Sequence, residues 1–305
     1  MQVYYELNKN PHLSLCLGFF DGVHEGHKVV MKNAVNLAKQ SGTKSAVVTF
    51  SQHPLCYLQN RTPQYIMSLE DRLALVEKQG IDYAYVLDFD DSTADVLAYD
   101  YLKDVLVEYF SPKFITTGFN HYFGANKQGD ACFLRNYQDE FGYKFFEIPP
   151  ITFNNILISS SRIRQMISEG QIEFLPNLLG SHFFVKGRVI TGNRIGRTLS
   201  FPTANLKYPA DVIKLSKGVY IGFVEFESKK YQAIINFGKR PTISDTKELL
   251  LEAHLLDFNE NIYDKDVKIS FVKKIRDEQR FVTLPDLKSQ LIKDEQNARL
   301  LFSKL

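Results

Sequence analysis

No apolar run in this chain approaches the ~18 residues that a membrane-spanning helix needs. The opening MQVYYELNKN also lacks the basic-then-apolar pattern of a signal peptide. No membrane partner is therefore expected. Cysteine is scarce: Cys16, Cys56 and Cys132 form an odd set of three without metal-ligand spacing, which reads as reduced thiols in a cytoplasmic chain. A dominant charge is missing too. Lys and Arg number 37 against 35 Asp and Glu, a formal net charge of +2, so nothing global argues for nucleic acid, whereas a phosphate pocket needs only local basicity. Internal repeats and low-complexity tracts are absent. The 305 residues are long enough for two domains, and 44% apolar with 24% charged content describes a globular protein with ample core. A monomer or weak homo-oligomer is expected.

One stretch organises the rest. Residues 13–17 form an apolar run that reads as a buried strand, Gly18 punctuates it, and Phe19-Phe20-Asp21-Gly22 reads as a tight turn. His24 and His27 follow, and Val29, Val30, Ala34, Leu37 and Ala38 recur at helical spacing over 28–40. Three residues apart, the imidazoles share one face at the N-terminus of that helix, where free N–H groups and the dipole favour an anion such as phosphate. Gly18, Gly22 and Gly26 allow a phosphate chain close to the backbone.

Strand and helix signals alternate onward. Strands are expected at 45–50, 83–89, 114–118 and 144–148, and helices at 68–80 (Ser68 as N-cap), 93–110 and 130–141. This alternation predicts an α/β half with a parallel, doubly wound sheet. His53 sits on a loop after the second strand, beside Pro54, at the strand end where open parallel sheets bind ligands; alone it also reads as a solvated histidine. The polar loop FNHYFGANKQGD follows the strand at 114–118 and alone reads as a surface hairpin. Ser159-Ser160-Ser161-Arg162-Ile163-Arg164 opens a helix with hydroxyls and guanidinium groups that can hold phosphate oxygens, or simply with a serine cap.

Beyond a short helix at 171–179 the pattern changes. Strands at 185–190, 218–226, 231–237, 249–257 and 267–275 predict a small closed antiparallel barrel, followed by a helix over 284–301. Within this half, GRVITGNRIGRTLSFPTAN spans 187–205, with Gly192, Gly196, Arg194 and Arg197 in a flexible cationic loop. If extended, Thr203 and Asn205 face one side and offer hard oxygen donors of the kind Mg²⁺ accepts; alone the segment also reads as a turn. Glu252, read alone, is a solvent-facing strand carboxylate.

The strand followed by His24-x-Gly26-His27 resembles a nucleotidyltransferase signature, and GFFDGVHEGH with Ile158-Ser-Ser-Ser-Arg-Ile-Arg164 is similar to the FAD synthetase module of bacterial bifunctional riboflavin kinase/FMN adenylyltransferases. The 187–205 segment, Asn236-Phe-Gly-Lys-Arg-Pro-Thr242 and Glu252-Ala-His-Leu-Leu-Asp-Phe258 resemble that family's riboflavin kinase motifs, in the family's order. The resemblance implies a Rossmann-like nucleotidyltransferase domain over 1–182 and a barrel kinase domain over 183–305. It implies riboflavin, FMN and ATP as partners, FAD as product, and Mg²⁺ as cofactor. It places ATP on Gly18, Phe19, Phe20, Asp21, Gly22, His24, His27, Ser159, Ser160, Ser161 and Arg164 in the first domain, and on Gly187, Gly192, Gly196 and Arg197 in the second. His24 and His27 would act in adenylyl transfer and Glu252 as general base in phosphorylation. Thr203 and Asn205 would hold the metal, and His53, Asn120 and Phe123 the flavin. Three positions depart from the pattern: His121 stands for an aromatic Phe, Ser161 for Thr, and Ser200 for Gly. The alternatives are an FMN adenylyltransferase with a kinase half weakened at Ser200, and a non-catalytic flavin-binding regulator.

Overall fold

The apolar runs of the first half do form one parallel sheet. In the computed structural model, which describes residues 1–191, 199, 201–239 and 249–305, the chain divides into two units, Met1–Arg162 and Ile163–Leu305. The first unit contains β1 (Gln2–Tyr4), β2 (Ser14–Leu17), β3 (Ser45–Phe50), β4 (Tyr83–Leu87), β5 (Phe114–Gly118) and β6 (Lys144–Ile148), paired in the order β1-β4-β3-β2-β5-β6. Every pairing is parallel. Alternate residues of each strand serve opposite faces. Leu15, Leu17, Ala46, Val48, Tyr85 and Ile115 pack against Leu102, Leu106 and Phe110. Cys16, Val47, Ala84 and Val86 pack against Val30, Met31, Ala34 and Val35 of α1 (Glu25–Ser41). Burial on both faces is why these strands read as unbroken apolar runs rather than alternations.

The connection from β2 leads to β3 on one side, while β5 pairs on the other. The strand order therefore reverses at β2, and the crevice beyond the carboxyl ends of β2 and β5 is the place where such sheets bind ligands. Two further helices border it, α2 (Pro54–Leu58) and α3 (Leu69–Glu77).

Several elements differ from expectation. The helix predicted over 93–110 is interrupted: Asp91–Ala94 is a separate turn, and Ala98–Asp100, a π-wound Tyr101–Val107 and Glu108–Phe110 follow. The interruption lies where Ala125 N–H donates to Val96 O (2.8 Å), and where a Cβ on Gly124 would stand 2.6 Å from Ala98 Cα. The helix predicted over 130–141 breaks at Tyr137 into Ala131–Asn136 and Gln138–Phe141. A hairpin of β7 (Thr152–Phe153) and β8 (Ile156–Leu157) turns through Asn154 and Asn155, both left-handed (φ 49° and 61°), and leads into α4 (Ser160–Glu169).

The second unit is the expected barrel, with six strands rather than five. These are β9 (Phe184–Ile190), β10 (Ala204–Lys207), β11 (Gly218–Phe226), β12 (Lys229–Lys239), β13 (Leu249–Leu255) and β14 (Asp266–Arg276), closed in the order β10-β13-β12-β11-β14-β9. Val185, Leu206, Tyr220, Ile235, Phe237, Leu251, Ala253 and Ile269 are buried in its interior. On the outer face Val219, Ile221 and Ile234 pack beneath Ala298 and Phe302 of α5 (Leu284–Phe302). Arg276 holds α5 to the barrel: its Nε and Nη2 donate to the Asp294 carboxylate at 3.0 and 2.7 Å, and Asp294 is only 4% exposed.

Candidate active sites

The turn after β2 is strained and heavily braced. Phe20 (φ 58°) and Val23 (φ 41°) are left-handed beside Gly22 (φ 83°), an uncommon conformation that costs most for a β-branched residue such as Val23. Five contacts hold it. Val23 N–H donates to Phe20 O at 3.1 Å. The Asp21 carboxylate, 3% exposed, accepts the Ile66 N–H at 2.9 and 3.1 Å. Phe19 O accepts from Thr49 Oγ1 (3.2 Å) and from Arg72 Nη1 (2.7 Å). Ser160 Oγ donates to Asp21 O at 2.9 Å, joining the serine motif to the turn.

His24 ends this turn as the N-cap of α1. Its Nδ1 accepts the His27 N–H at 3.2 Å, so in the neutral ring the proton sits on Nε2, which is then a donor. His24 is 6% exposed, and the His24 and His27 rings stack with centroids 3.5 Å apart and an interplanar angle of 18°. A Cβ on Gly26 would press to 3.2 Å from the His24 ring, so glycine there admits the stack. Phe20 meets the His27 ring edge-on at 5.2 Å. The result is a stacked imidazole pair at a helix N-terminus, aimed by a rigid turn.

His53 joins this group. It caps α2 through Nδ1, which accepts the Leu55 N–H at 3.1 Å, and its ring lies 4.7 Å from that of Phe19. Its own N–H donates to Tyr65 Oη at 3.0 Å. Ser159 Oγ accepts the Arg162 N–H at 3.3 Å at the start of α4, on which Ser161 is exposed and Arg164 half-buried.

Arg72 was not singled out by sequence. It is 3% exposed, lies 4.1 Å over the Phe19 ring, and bridges Phe19 O to Phe50 O (2.6 Å) at the ends of β2 and β3. Burial lowers its pKa to about 10, against the pull of Asp21 and Tyr65, and it remains charged at neutral pH. An arginine in an amphipathic helix gives no signal of burial; only its place one turn into a capped helix facing the turn could have raised it.

In the loop after β5, Asn120 is exposed while Phe123 packs into the core against Tyr101 (5.7 Å) and Phe133 (5.8 Å). His121 stacks on Phe123 at 5.8 Å, and burial pulls its pKa down to about 4, so it is neutral. Its Nε2 is buried without a hydrogen-bond partner among the described residues.

In the barrel, register assembles the second group. Glu252 on β13 stands directly opposite Asn205 on β10 and Asn236 on β12, so the three share the outer face. Asn205 is 7% exposed, and its Nδ2 donates to Thr203 O (3.3 Å) and Thr203 Oγ1 (3.4 Å). His254, two residues along from Glu252 and so on the same face, reaches Pro202 O through Nδ1 at 2.8 Å. Asn236 went unassigned in the sequence, although its stretch carried the resemblance. Gly187 lies on the inward side of β9, where a Cβ would stand 3.3 Å from Leu206. Gly192, Gly196 and Arg197, with Arg194 and Ser200, lie outside the described residues.

Comparison with known proteins matches this division. A family model described as FAD synthetase covers residues 7–162, and one described as riboflavin kinase covers residues 179–302. A bifunctional riboflavin kinase/FMN adenylyltransferase from Haemophilus influenzae is 35% identical over 292 residues, 95% of this chain and 94% of that one. The protein of the same description from Escherichia coli K12 is 32% identical over 290 residues, 94% and 92% of the two chains. A crystal structure described as a macrolide-efflux protein from Streptococcus pneumoniae matches with a TM-score of 0.89 and 31% identity, over 98% of this chain and 99% of that one. Among the described residues here, no helix is long and apolar enough to cross a membrane.

Proposed function

Since the chain belongs to the bifunctional riboflavin kinase/FMN adenylyltransferases, we propose that residues 1–182 carry its adenylyl transfer and residues 183–305 its phosphorylation, through the groups assembled above. The two reactions are phosphorylation of riboflavin by ATP to FMN, then transfer of AMP from a second ATP to FMN, giving FAD and pyrophosphate.

In adenylyl transfer an FMN phosphate oxygen attacks the α-phosphorus of ATP and pyrophosphate leaves. The nucleophile is already ionised, so no general base is required, and the task is to hold charge on the triphosphate. His24 through Nε2–H, His27 and the N–H groups opening α1 supply donors; Ser159, Ser160, Ser161 and Arg164 add hydroxyl and guanidinium contacts. Gly18, Phe19, Phe20, Asp21 and Gly22 shape the bed, with Asp21 as a brace through Ile66. His53, Asn120 and Phe123 border the flavin.

In phosphorylation Glu252 accepts the proton of the ribityl 5′-hydroxyl as that oxygen attacks the γ-phosphorus, and ADP leaves. Gly187, Gly192, Gly196 and Arg197 belong to the segment proposed to cover this ATP. A hydroxyl and an amide within 3.4 Å of each other, Thr203 and Asn205, make a hard donor set beside the carboxylate, which fits Mg²⁺. When bound, that ion would neutralise phosphate charge. Free cysteines support a reducing, cytoplasmic location, and the net charge of +2 supports small-molecule partners rather than nucleic acid. Both residue sets come from one chain, in keeping with a monomer or weak homo-oligomer.

The observation that carries the first assignment is the stacked His24–His27 pair at the start of α1. A chromatographic time course with riboflavin, ATP and Mg²⁺ tests it. FMN is expected to appear and then convert to FAD. The His24→Ala/His27→Ala variant is expected to accumulate FMN without FAD; loss of both activities, or of neither, overturns the assignment.

A further inference from the structure

Thr203, a proposed metal ligand, stands just outside the barrel ladder. Pairing of β10 with β13 begins at Ala204 opposite Ala253, so no inter-strand bond of the ladder fixes the residues before it. Pro202 offers no N–H for such a bond and leaves only its carbonyl. That carbonyl is taken by His254 Nδ1 at 2.8 Å; a carbonyl can only accept, so Nδ1 carries the proton and donates. The His254 ring also covers Phe201, at 5.1 Å between centroids. Phe201 and Pro202 are thus held by one side chain from β13, and Asn205 holds Thr203 from the other end.

His254 lies two residues from Glu252 on the same strand and the same face. One rigid strand therefore sets the height of the carboxylate and, through its neighbour, the height of the Pro202-Thr203 turn. The next strands add to the frame, since Asn205 and Asn236 flank Glu252 in register. We propose that His254 is a positioning residue of the kinase site, donating to Pro202 O so that Thr203 and Asn205 meet the metal of Mg-ATP at a fixed distance from Glu252. The inference rests on the assignment of phosphorylation to this face. Outer-shell partners of this kind fix ligand orientation without touching the ion.

The test uses the full chain with His254→Ala and with His254→Asn, whose amide can donate from nearly the same place. In His254→Ala the Mg²⁺ concentration giving half-maximal riboflavin phosphorylation is expected to rise about tenfold or more. Binding of Mn²⁺–ADP in the presence of riboflavin, followed by water-proton relaxation, should weaken in parallel. His254→Asn should recover most of both. Conversion of supplied FMN to FAD should be unchanged in each variant, since that step is assigned to residues 1–182. Unaltered Mg²⁺ dependence and Mn²⁺–ADP binding in His254→Ala would overturn the proposal. So would equal impairment of the two variants, which would mean packing against Phe201 alone. Failure of the underlying assignment is read separately: a Glu252→Gln enzyme that still phosphorylates riboflavin removes the site itself.

Discussion

His121 is a half-buried histidine whose ring Nε2 is shut off from water, and it stays neutral in the folded protein. An unfolded imidazole titrates near ~6.5, whereas burial against Phe123 brings this one to about 4. Between those values the unfolded chain binds the proton and the folded chain does not. The contribution to stability is therefore full above the unfolded value and is lost as pH falls from there towards the folded one. Thermal unfolding followed by circular dichroism should show a larger drop in Tm between about pH 7 and about pH 5 for the parent than for His121→Phe; equal drops would contradict the burial. Residues of this kind mark the limit of what a sequence discloses. His24 and His27 were legible because a strand, glycines and a helix start surround them, and Glu252, Thr203 and Asn205 because their motif is long. Arg72 was not, since a cation at helical spacing ordinarily faces water, and its burial follows from two carbonyls that only the folded sheet brings together. Asn236 and His254 owe their places to barrel register and to a carbonyl in another strand.

At the scale of elements, α3 braces the turn proposed to bed the nucleotide. Arg72, one turn in from the Ser68 cap, spans the ends of β2 and β3 and stacks on Phe19, so α3 fixes where the chain leaves both strands. Replacing it by methionine keeps bulk and removes the bridge. FAD formation in Arg72→Met should fall by about a hundredfold, the penalty of a small misplacement of reacting groups, while FMN formation stays at the parent rate. Separate steady-state assays from riboflavin and from FMN would check this, and unchanged FAD formation would mean the turn holds itself. Elements long enough to bury a face were legible: strands β2 to β6 of the sheet, α1, α3 and α5 all fall where periodicity placed them. Those missed are short or set from outside. β1 is a three-residue edge strand, β10 a four-residue piece after a proline, and the break before Ala98 comes from the close backbone of Gly124.

At the scale of the whole molecule, each reaction is proposed to draw its residues from a separate stretch of chain, and FMN is both product and substrate. Two disabled enzymes should therefore complement each other. A mixture of the His24→Ala/His27→Ala and Glu252→Gln variants should make FAD from riboflavin, with a lag set by FMN concentration, though neither variant does so alone. A mixture that accumulates FMN and yields no FAD would show that the intermediate must stay on one chain. The barrel adds a consequence of a different kind. Glu252 faces outward only because its strand sits in one register against Asn205 and Asn236, and side chains alternate with a period of two. A slip of one residue would turn the carboxylate into the oily interior and push Leu251 or Ala253 into water. Ring closure, which allows no strand to slide without breaking its neighbours, therefore also acts as proofreading: a misaligned copy of this half fails to close at the same step at which it turns Glu252 away from Asn205 and Asn236.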